Sequence, residues 1–145
     1  MKSPSDFLKS LFQAAVAAAD PKHCLPSNLL NIKITPPKGR TIVLGAGKAA
    51  GSMAQALESF WALNFPKHSI EGLIITRYGH GQSCKHINVI EAAHPVPDNA
   101  GIRGAEKLFA LAHGLTKDDL VICLISGGAS ALLSLPAAGI TATDK

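Results

Sequence analysis

Apolar residues along the chain form short uninterrupted runs that alternate with stretches of helical periodicity. The first run is rich in β-branched residues and lacks polar alternation, which is typical of a strand covered on both faces of a parallel sheet. Four such runs predict strands at residues 41–44, 70–76, 87–92 and 120–125. Helices are expected after the first strand, to about Leu63, and from Asn99 to about His113. This alternation predicts an α/β fold, namely a Rossmann-like three-layer domain with a mainly parallel sheet and right-handed crossovers.

Residues 1–40 are expected to lead into this domain as one helix and a connecting segment. Ser3 suits the N-cap of the helix and Pro4 its first position. Polar residues interrupt the apolar stretch, which favours an amphipathic helix over a signal peptide. Its apolar face comprises Phe7, Leu8, Leu11, Phe12, Ala15, Val16 and Ala19. Pro21 is expected to end the helix, and the connection that follows either lacks regular structure or holds a short strand at residues 29–34.

A glycine-rich turn, Gly45-Ala46-Gly47, follows the first strand and opens the next helix. Glycines let a ligand approach the backbone, and the N-terminus of a helix favours an anion, so these three residues are candidates for binding a phosphate or carboxylate. The spacing G-x-G-x-x-x-G matches neither the dinucleotide fingerprint nor the P-loop. The alternative is a tight strand-to-helix turn in which Gly51 serves only close packing.

Lys48 follows this turn at a place where a cation opposes the helix dipole, which is an unfavourable location for a purely structural lysine. It is a candidate point charge for an anionic ligand or, if desolvated, a proton carrier. The alternative is a solvated helix lysine.

A second glycine turn, from Ser126 to Ser130, follows the fourth strand. Gly127 and Gly128 offer backbone donors beside the two serine hydroxyls, so Ser126, Gly127, Gly128 and Ser130 form a second candidate anion site. The alternative is ordinary helix capping by Ser126. Serine hydrolysis is not indicated, because no G-x-S-x-G elbow is present and Ser126 has no evident base partner.

Two further strand ends carry candidate binding residues. Arg77 follows the second strand, where it either holds a ribose phosphate or is simply exposed. His94 follows the third strand and is either a turn residue or part of a ligand cleft. The spacing of His80, Cys84 and His86 supports neither a helical ligand face nor a two-cysteine knuckle, so no metal site is expected there.

The composition indicates one globular domain over residues 1–145. Apolar residues make up 47% and charged residues 17%, which excludes a disordered chain. The formal net charge is +4, and the lysines and arginines are scattered, so no nucleic-acid partner is expected, whereas a small anionic substrate fits.

The cysteines and the hydropathy pattern indicate the cellular compartment of the protein and whether it associates with a membrane. Cys24, Cys84 and Cys123 are odd in number and lack C-x-x-C spacing, which predicts free thiols in a reducing compartment and therefore the cytoplasm. No run approaches the ~20 apolar residues of a membrane span, so no membrane association is expected.

The motifs VLGAGKAAGSMA, ITRYGHG, EAAHPVPDNAG and LISGGASALLSLPAAGIT resemble, in this order, the N-terminal domain of the glycerate 2-kinase family. The second domain of that family is called MOFRL, and some members carry the name hydroxypyruvate reductase. The resemblance covers nearly the whole chain from about Thr41. Two positions depart from it: Ala129 and Ala93 stand where the family more often has glycine.

The resemblance implies ATP- and Mg²⁺-dependent phosphorylation of D-glycerate to 2-phosphoglycerate in a cleft between two domains. It makes Lys48 the catalytic candidate and the SGGAS turn a ligand-holding loop, while no acidic constellation for Mg²⁺ is visible in the chain. Because family members are considerably longer, the chain is expected to be the N-terminal part of such a protein. It would then lack the C-terminal domain as a partner and be inactive alone.

Two alternatives to this interpretation stay open. An NADP-dependent hydroxypyruvate reductase would place the pyrophosphate on the first glycine turn and Arg77 on the ribose phosphate. A non-catalytic module would keep the anion site without chemistry. Assembly into a homo-oligomer is compatible with any of these activities.

Overall fold

The chain folds into a parallel sheet with helices on both faces. The computed structural model describes residues 3–141 and residue 144. The helices are α1 (Pro4–Ala18), α2 (Pro21–Asn31), α3 (Ala50–Asn64), α4 (Asn99–Leu111) and α5 (Ala129–Leu132). The strands are β1 (Thr41–Ala46), β2 (Glu71–Arg77), β3 (Ile87–Ala92) and β4 (Leu120–Ile125).

The four strands lie in the order β3-β2-β1-β4, and each neighbouring pair is parallel. In the register of the sheet, Gly45 of β1 lies opposite Ile74 of β2 and Leu124 of β4. The carboxyl ends of all four strands therefore meet at one edge, where open α/β sheets bind their ligands. The predicted Rossmann-like three-layer architecture is confirmed.

Two hydrophobic clusters hold the layers together. On one face, Leu57 and Trp61 of α3 pack with Ile74, and all three side chains are essentially buried. On the other face, Ile75 packs with Leu132 and with the closely applied helix α4. Gly104 permits the close approach of α4, because a Cβ there would lie 2.9 Å from Cδ1 of Ile75 and force that side chain to shift.

Helix α1 begins as expected but leaves its apolar face uncovered. The Ser3 hydroxyl accepts a hydrogen bond from the Asp6 N–H at 3.1 Å, and Pro4 occupies the first turn. None of the residues of α1 is buried, and Phe12 is 70% exposed.

The prediction of a connecting segment after α1 was wrong, because the segment forms helix α2. Pro21 begins this helix instead of ending α1: it occupies the first turn, where its missing N–H costs nothing. Asp20 caps the helix by accepting from the Lys22 N–H at 2.9 Å. The alternative strand at residues 29–34 is also absent, because Leu29 packs from α2 into the core beside α3.

Strand β4 lies at the edge of the sheet and is covered on one face only. Leu124 is 3% exposed and belongs to the cluster beside α3, whereas Ile125 is 56% exposed. No helix within residues 3–141 combines the length and the apolar character needed to cross a membrane.

Candidate functional site

The two glycine turns lie side by side at the carboxyl edge of the sheet, because β1 and β4 are neighbours. The N–H of Lys48 donates to the carbonyl of Gly127 at 2.9 Å, and the N–H of Ala49 donates to Oγ of Ser126 at 3.0 Å. The N–H of Ser126 in turn donates to the carbonyl of Ala46 at 3.0 Å. These bonds join residues distant in sequence into one unit and fix the backbone from which the Lys48 side chain projects.

The backbone donors of the first turn are engaged inside the protein. The N–H of Gly47 donates to the carbonyl of Ile75 at 3.0 Å, and those of Lys48 and Ala49 reach the second turn. Gly45 lies within β1, where a Cβ would stand 2.6 Å from the carbonyl oxygen of Leu124, so close strand packing accounts for this glycine. The first turn thus serves to hold Lys48 against the second turn.

The second turn presents its backbone differently. Within the described residues, the N–H groups of Gly127 and Gly128 have no hydrogen-bond acceptor. Gly128 adopts φ +91°, the left-handed conformation that favours glycine. A Cβ on Gly128 would lie 2.7 Å from Nε2 of His94 and 3.4 Å from Cγ of Lys48. Lys48, His94 and the two glycines therefore surround one place at the edge of the sheet.

The helices that follow the turns differ from the sequence expectation. Helix α3 begins at Ala50, so Lys48 precedes the helix and does not lie in its first turn. Helix α5 has only four residues and includes Ser130. At the second turn, the available donors are therefore the amides of the turn itself rather than the end of a long helix dipole.

A small cavity of about 180 Å³ connects His94 with the end of β2. Its lining comprises Arg77, Tyr78, Ala92, Ala93 and His94. Arg77 is exposed at this strand end. His94 is thus shared between the glycine turn and the cavity that contains Arg77.

Tyr78 and Asp98 form a hydrogen-bonded pair beside this cavity. The Tyr78 hydroxyl donates to Oδ2 of Asp98 at 2.8 Å, and Oδ1 of Asp98 accepts from the Gly101 N–H at 3.0 Å. The Gly101 N–H, more than the Tyr78 hydroxyl, holds the pKa of Asp98 below its ordinary value. The same carboxylate raises the pKa of Tyr78. The pair anchors the start of α4 to the end of β2.

Two residues near Lys48 were not predicted as part of the site. Oγ1 of Thr76 donates to the carbonyl of Lys48 at 3.4 Å, and Nδ1 of His80 lies 3.3 Å from the same oxygen. Both belong to the ITRYGHG motif at the end of β2. The signal that could have identified them is the pairing of β1 with β2, which brings this motif beside Lys48.

Comparison with known proteins gives the family of the chain. Residues 7–145 match a family described as "Domain of unknown function (DUF4147)". A protein of Agrobacterium vitis, provisionally named a hydroxypyruvate reductase, is 46% identical over 99% of this chain and 31% of its own length. The protein of Pyrococcus horikoshii named "Glycerate 2-kinase" is 41% identical over 74% of this chain and 23% of its own length.

A solved structure agrees with these sequence relatives. The crystal structure of the glycerate kinase of Thermotoga maritima superimposes with a TM-score of 0.80 at 28% identity, over 97% of this chain and 33% of that chain. The chain spans about a third of the length of the relatives that it matches most extensively. The chain therefore belongs to the DUF4147 family, whose named relatives include glycerate 2-kinases, and the resemblance predicted from its motifs is confirmed.

Proposed function

We propose that the chain is the N-terminal part of a glycerate 2-kinase, which transfers a phosphoryl group from ATP to the 2-hydroxyl of D-glycerate. The observation that carries this proposal is the convergence of Lys48, His94 and the unpaired amides of Gly127 and Gly128 at one place. The glycerate kinase names of several relatives support the same activity.

The chemistry of phosphoryl transfer matches these groups. Catalysis consists mostly of positioning and of neutralising charge on the phosphoryl oxygens. We assign the amides of Gly127 and Gly128 to phosphate oxygens of ATP and the Lys48 ammonium to the charge that develops during transfer. His94 and Lys48 both lie beside Gly128, and His94 is assigned to the glycerate oxygens. Ser126 keeps the two turns together through its bond to Ala49.

The described residues do not form a binding site for Mg²⁺. No group of three or more His, Cys, Asp or Glu side chains there is arranged to hold a metal ion. We therefore assign the Mg²⁺ ligands to the remainder of a longer protein and give Mg²⁺ no role for the residues of this chain.

We propose that the whole protein has two domains and is located in the cytoplasm. The share of each relative that is matched, 31% in one case, supports a longer whole, and the three free cysteines are compatible with a reducing compartment. We propose that residues 1–145 alone do not phosphorylate glycerate, because a kinase also needs metal ligands and a second wall that excludes water.

The second candidate is an NADP-dependent hydroxypyruvate reductase. It is favoured by the position of Arg77, which is the last residue of β2 beside β1, where an arginine can hold a ribose phosphate. In this case the pyrophosphate would have to lie on the first turn, whose amides at Gly47, Lys48 and Ala49 are already bonded within the protein. The kinase is therefore the better supported candidate.

A chimera tests both candidates. Residues 1–145 would replace the matching segment of the Agrobacterium vitis relative, with which they share 46% identity. ADP formation would be followed with ATP, Mg²⁺ and D-glycerate, and NADPH absorbance with hydroxypyruvate. The isolated chain shows whether activity requires the second domain. The unmodified relative shows that the two assays detect activity.

The outcomes separate the alternatives. ADP and phosphoglycerate formation by the chimera, with none by the isolated chain, is the expected result. Oxidation of NADPH without ADP formation would support the reductase. Absence of both activities in the chimera, while the unmodified relative remains active, would favour a non-catalytic anion-binding module.

A further inference from the structure

A cavity of about 390 Å³ opens beside the second glycine turn, on the side of helices α2 and α3. Its volume lies in the range of about 300–1,000 Å³ that is typical of small-molecule sites. The lining comprises Ala19, Pro21, Cys24, Leu25, Asn28, Ala49, Met53 and Ser126. Ala49 and Ser126 are the two residues whose hydrogen bond joins the glycine turns. Ser126 directly precedes Gly127, so the cavity lies beside the turn that carries the proposed anion site.

The walls of this cavity suit a flat apolar group. Leu25 of α2 and Met53 of α3 are half-buried and line it from two helices. Pro21, Leu25 and Asn28 recur at intervals of three or four residues, so they lie on one face of α2. A planar ring entering here would lie between two apolar walls while a charged group attached to it reached the second turn.

One polar group in the cavity wall, the side-chain amide of Asn28, favours a ligand that carries a hydrogen-bond donor. Nδ2 of Asn28 donates to the carbonyl of Cys24 at 2.8 Å, which orients the amide. Its Oδ1 accepts no hydrogen bond within the described residues, so it is available to a donor on the ligand. An exocyclic amino group is such a donor, whereas a ring carbonyl is not.

We propose that this cavity binds the adenine base of the nucleotide, with the phosphates on the amides of Gly127 and Gly128. This inference rests on the proposed kinase function and adds the location and selectivity of base binding. A larger cavity of about 630 Å³ between α2, α3 and the segment before β3 is a weaker candidate. It is lined by residues such as Glu58, Leu63 and Lys85 and by none of the residues of either glycine turn.

The test compares three ligands on the 145-residue chain by titration calorimetry. ATP carries the base and the phosphates, ITP replaces the exocyclic amino group by a carbonyl, and tripolyphosphate lacks the base. We expect ATP to bind at least tenfold more tightly than tripolyphosphate and about tenfold more tightly than ITP, the ratio that one hydrogen bond of ordinary strength supplies.

Three variants locate the base. Asn28→Ala should reduce the preference for ATP over ITP to about one and leave tripolyphosphate binding unchanged. Met53→Trp should fill the cavity and weaken ATP binding at least about tenfold, again without effect on tripolyphosphate. Leu63→Trp, in the larger cavity, is the matched control and should change neither ligand. Melting temperatures identify any variant that fails to fold.

Each result bears on a separate assignment. Equal affinities for ATP and tripolyphosphate, or loss of ATP binding in Leu63→Trp instead of Met53→Trp, would overturn base binding in this cavity and leave the anion site intact. ATP binding that depends on Met53, without any binding of tripolyphosphate, would support the cavity and count against the anion site. Failure of all three ligands to bind would overturn both.

Discussion

The N–H of Ala49 donates a hydrogen bond of 3.0 Å to Oγ of Ser126, a residue 77 positions further along the chain. Beside it, Lys48 donates to the carbonyl of Gly127. The backbone that carries Lys48 is thus held by the turn after β4, so a change in one turn is transmitted to the other.

Replacing Ser126 by alanine should destabilise the fold by about 1–3 kcal/mol, because the half-buried N–H of Ala49 would lose its acceptor. Urea denaturation of the two proteins measures this difference. Ser59→Ala is the matched control, since the Ser59 hydroxyl donates to the carbonyl of Gln55 on the exposed surface of α3. Equal losses of stability in the two variants would contradict a special role for the Ser126 bond.

Replacing Lys48 by alanine in the chimera should lower kcat by about 10²-fold or more, a loss of the size seen when a group that stabilises transition-state charge is removed. The fold should be retained, because the Lys48 side chain is exposed and its backbone bonds do not need it. Steady-state ADP formation and the melting temperature are the measurements. Lys67→Ala, a remote exposed lysine, is the control. Turnover that survives in Lys48→Ala would leave Lys48 as a solvated lysine.

Substitutions at Gly127 and Gly128 should separate binding from folding. At Gly127 a Cβ has ordinary contact distance, 3.8 Å from Cε of Lys48, so Gly127→Ala should fold normally while Gly127→Val crowds the anion site. Gly128→Ala should destabilise the protein by about 1–3 kcal/mol, because its φ of +91° is strained for alanine and its Cβ meets His94.

The readouts are tripolyphosphate affinity and melting temperature. Gly127→Val should weaken tripolyphosphate binding with a small change in melting temperature. If Gly127→Val loses stability while the folded fraction keeps its affinity, this glycine serves packing rather than the ligand.

Cys84 and Cys123 should differ in reactivity towards a disulfide reagent at pH 8. Burial, with a contribution from the Glu58 charge, raises the pKa of Cys84 to about 11, so its thiol stays largely protonated and is a poor nucleophile. Cys123 is exposed on β4 and should react at least about tenfold faster than Cys84. Absorbance kinetics of the chain should lose the fast phase in Cys123→Ser and the slow phase in Cys84→Ser. A fast phase that disappears only in Cys84→Ser would contradict this order.

Stability should fall in acid partly through Asp98. Because the folded state holds the pKa of Asp98 below the ordinary value of about 3.9, its contribution is present above that pH and is lost as the pH falls through the lowered pKa. Asp98→Asn should therefore show a smaller decrease in unfolding free energy between pH 6 and pH 3 than the unmodified chain. Asp118→Asn is the control, since the Asp118 carboxylate makes no hydrogen bond in the described structure. An unchanged pH dependence in Asp98→Asn would contradict the assignment.

The sheet could be predicted because its strands are short apolar runs bounded by glycine, proline and polar residues. The predicted bounds of β3 and β4 agree with the structure, and those of β1 and β2 differ by one or two residues. Helix α2 was missed because Pro21 was interpreted as the end of α1, although after Asp20 it suits the first turn of a new helix. Pro26 is unfavourable inside a helix, but the packing of Leu29 and Leu25 against the α3 side of the core outweighs this cost.

The site was predictable at the level of motifs but not of contacts. Both glycine turns are visible as strand-to-helix transitions. The contact between the two turns depends on the pairing of β1 with β4, which cannot be predicted from any local sequence pattern. The same holds for Thr76 and His80, whose contacts with the Lys48 carbonyl follow from the position of β2 beside β1.

Trp61 is the only tryptophan of the 145 residues, and the fold buries it almost completely, at 1% exposure. Its indole N–H donates to the carbonyl of His68 at 3.0 Å, and its ring meets Phe65 edge-on at 4.8 Å between centroids. The chain therefore contains its own fluorophore at the junction of α3 and β2. Its emission reports on the packing of the α3 layer, at a distance from the glycine turns, so folding can be followed optically without labelling the ligand site.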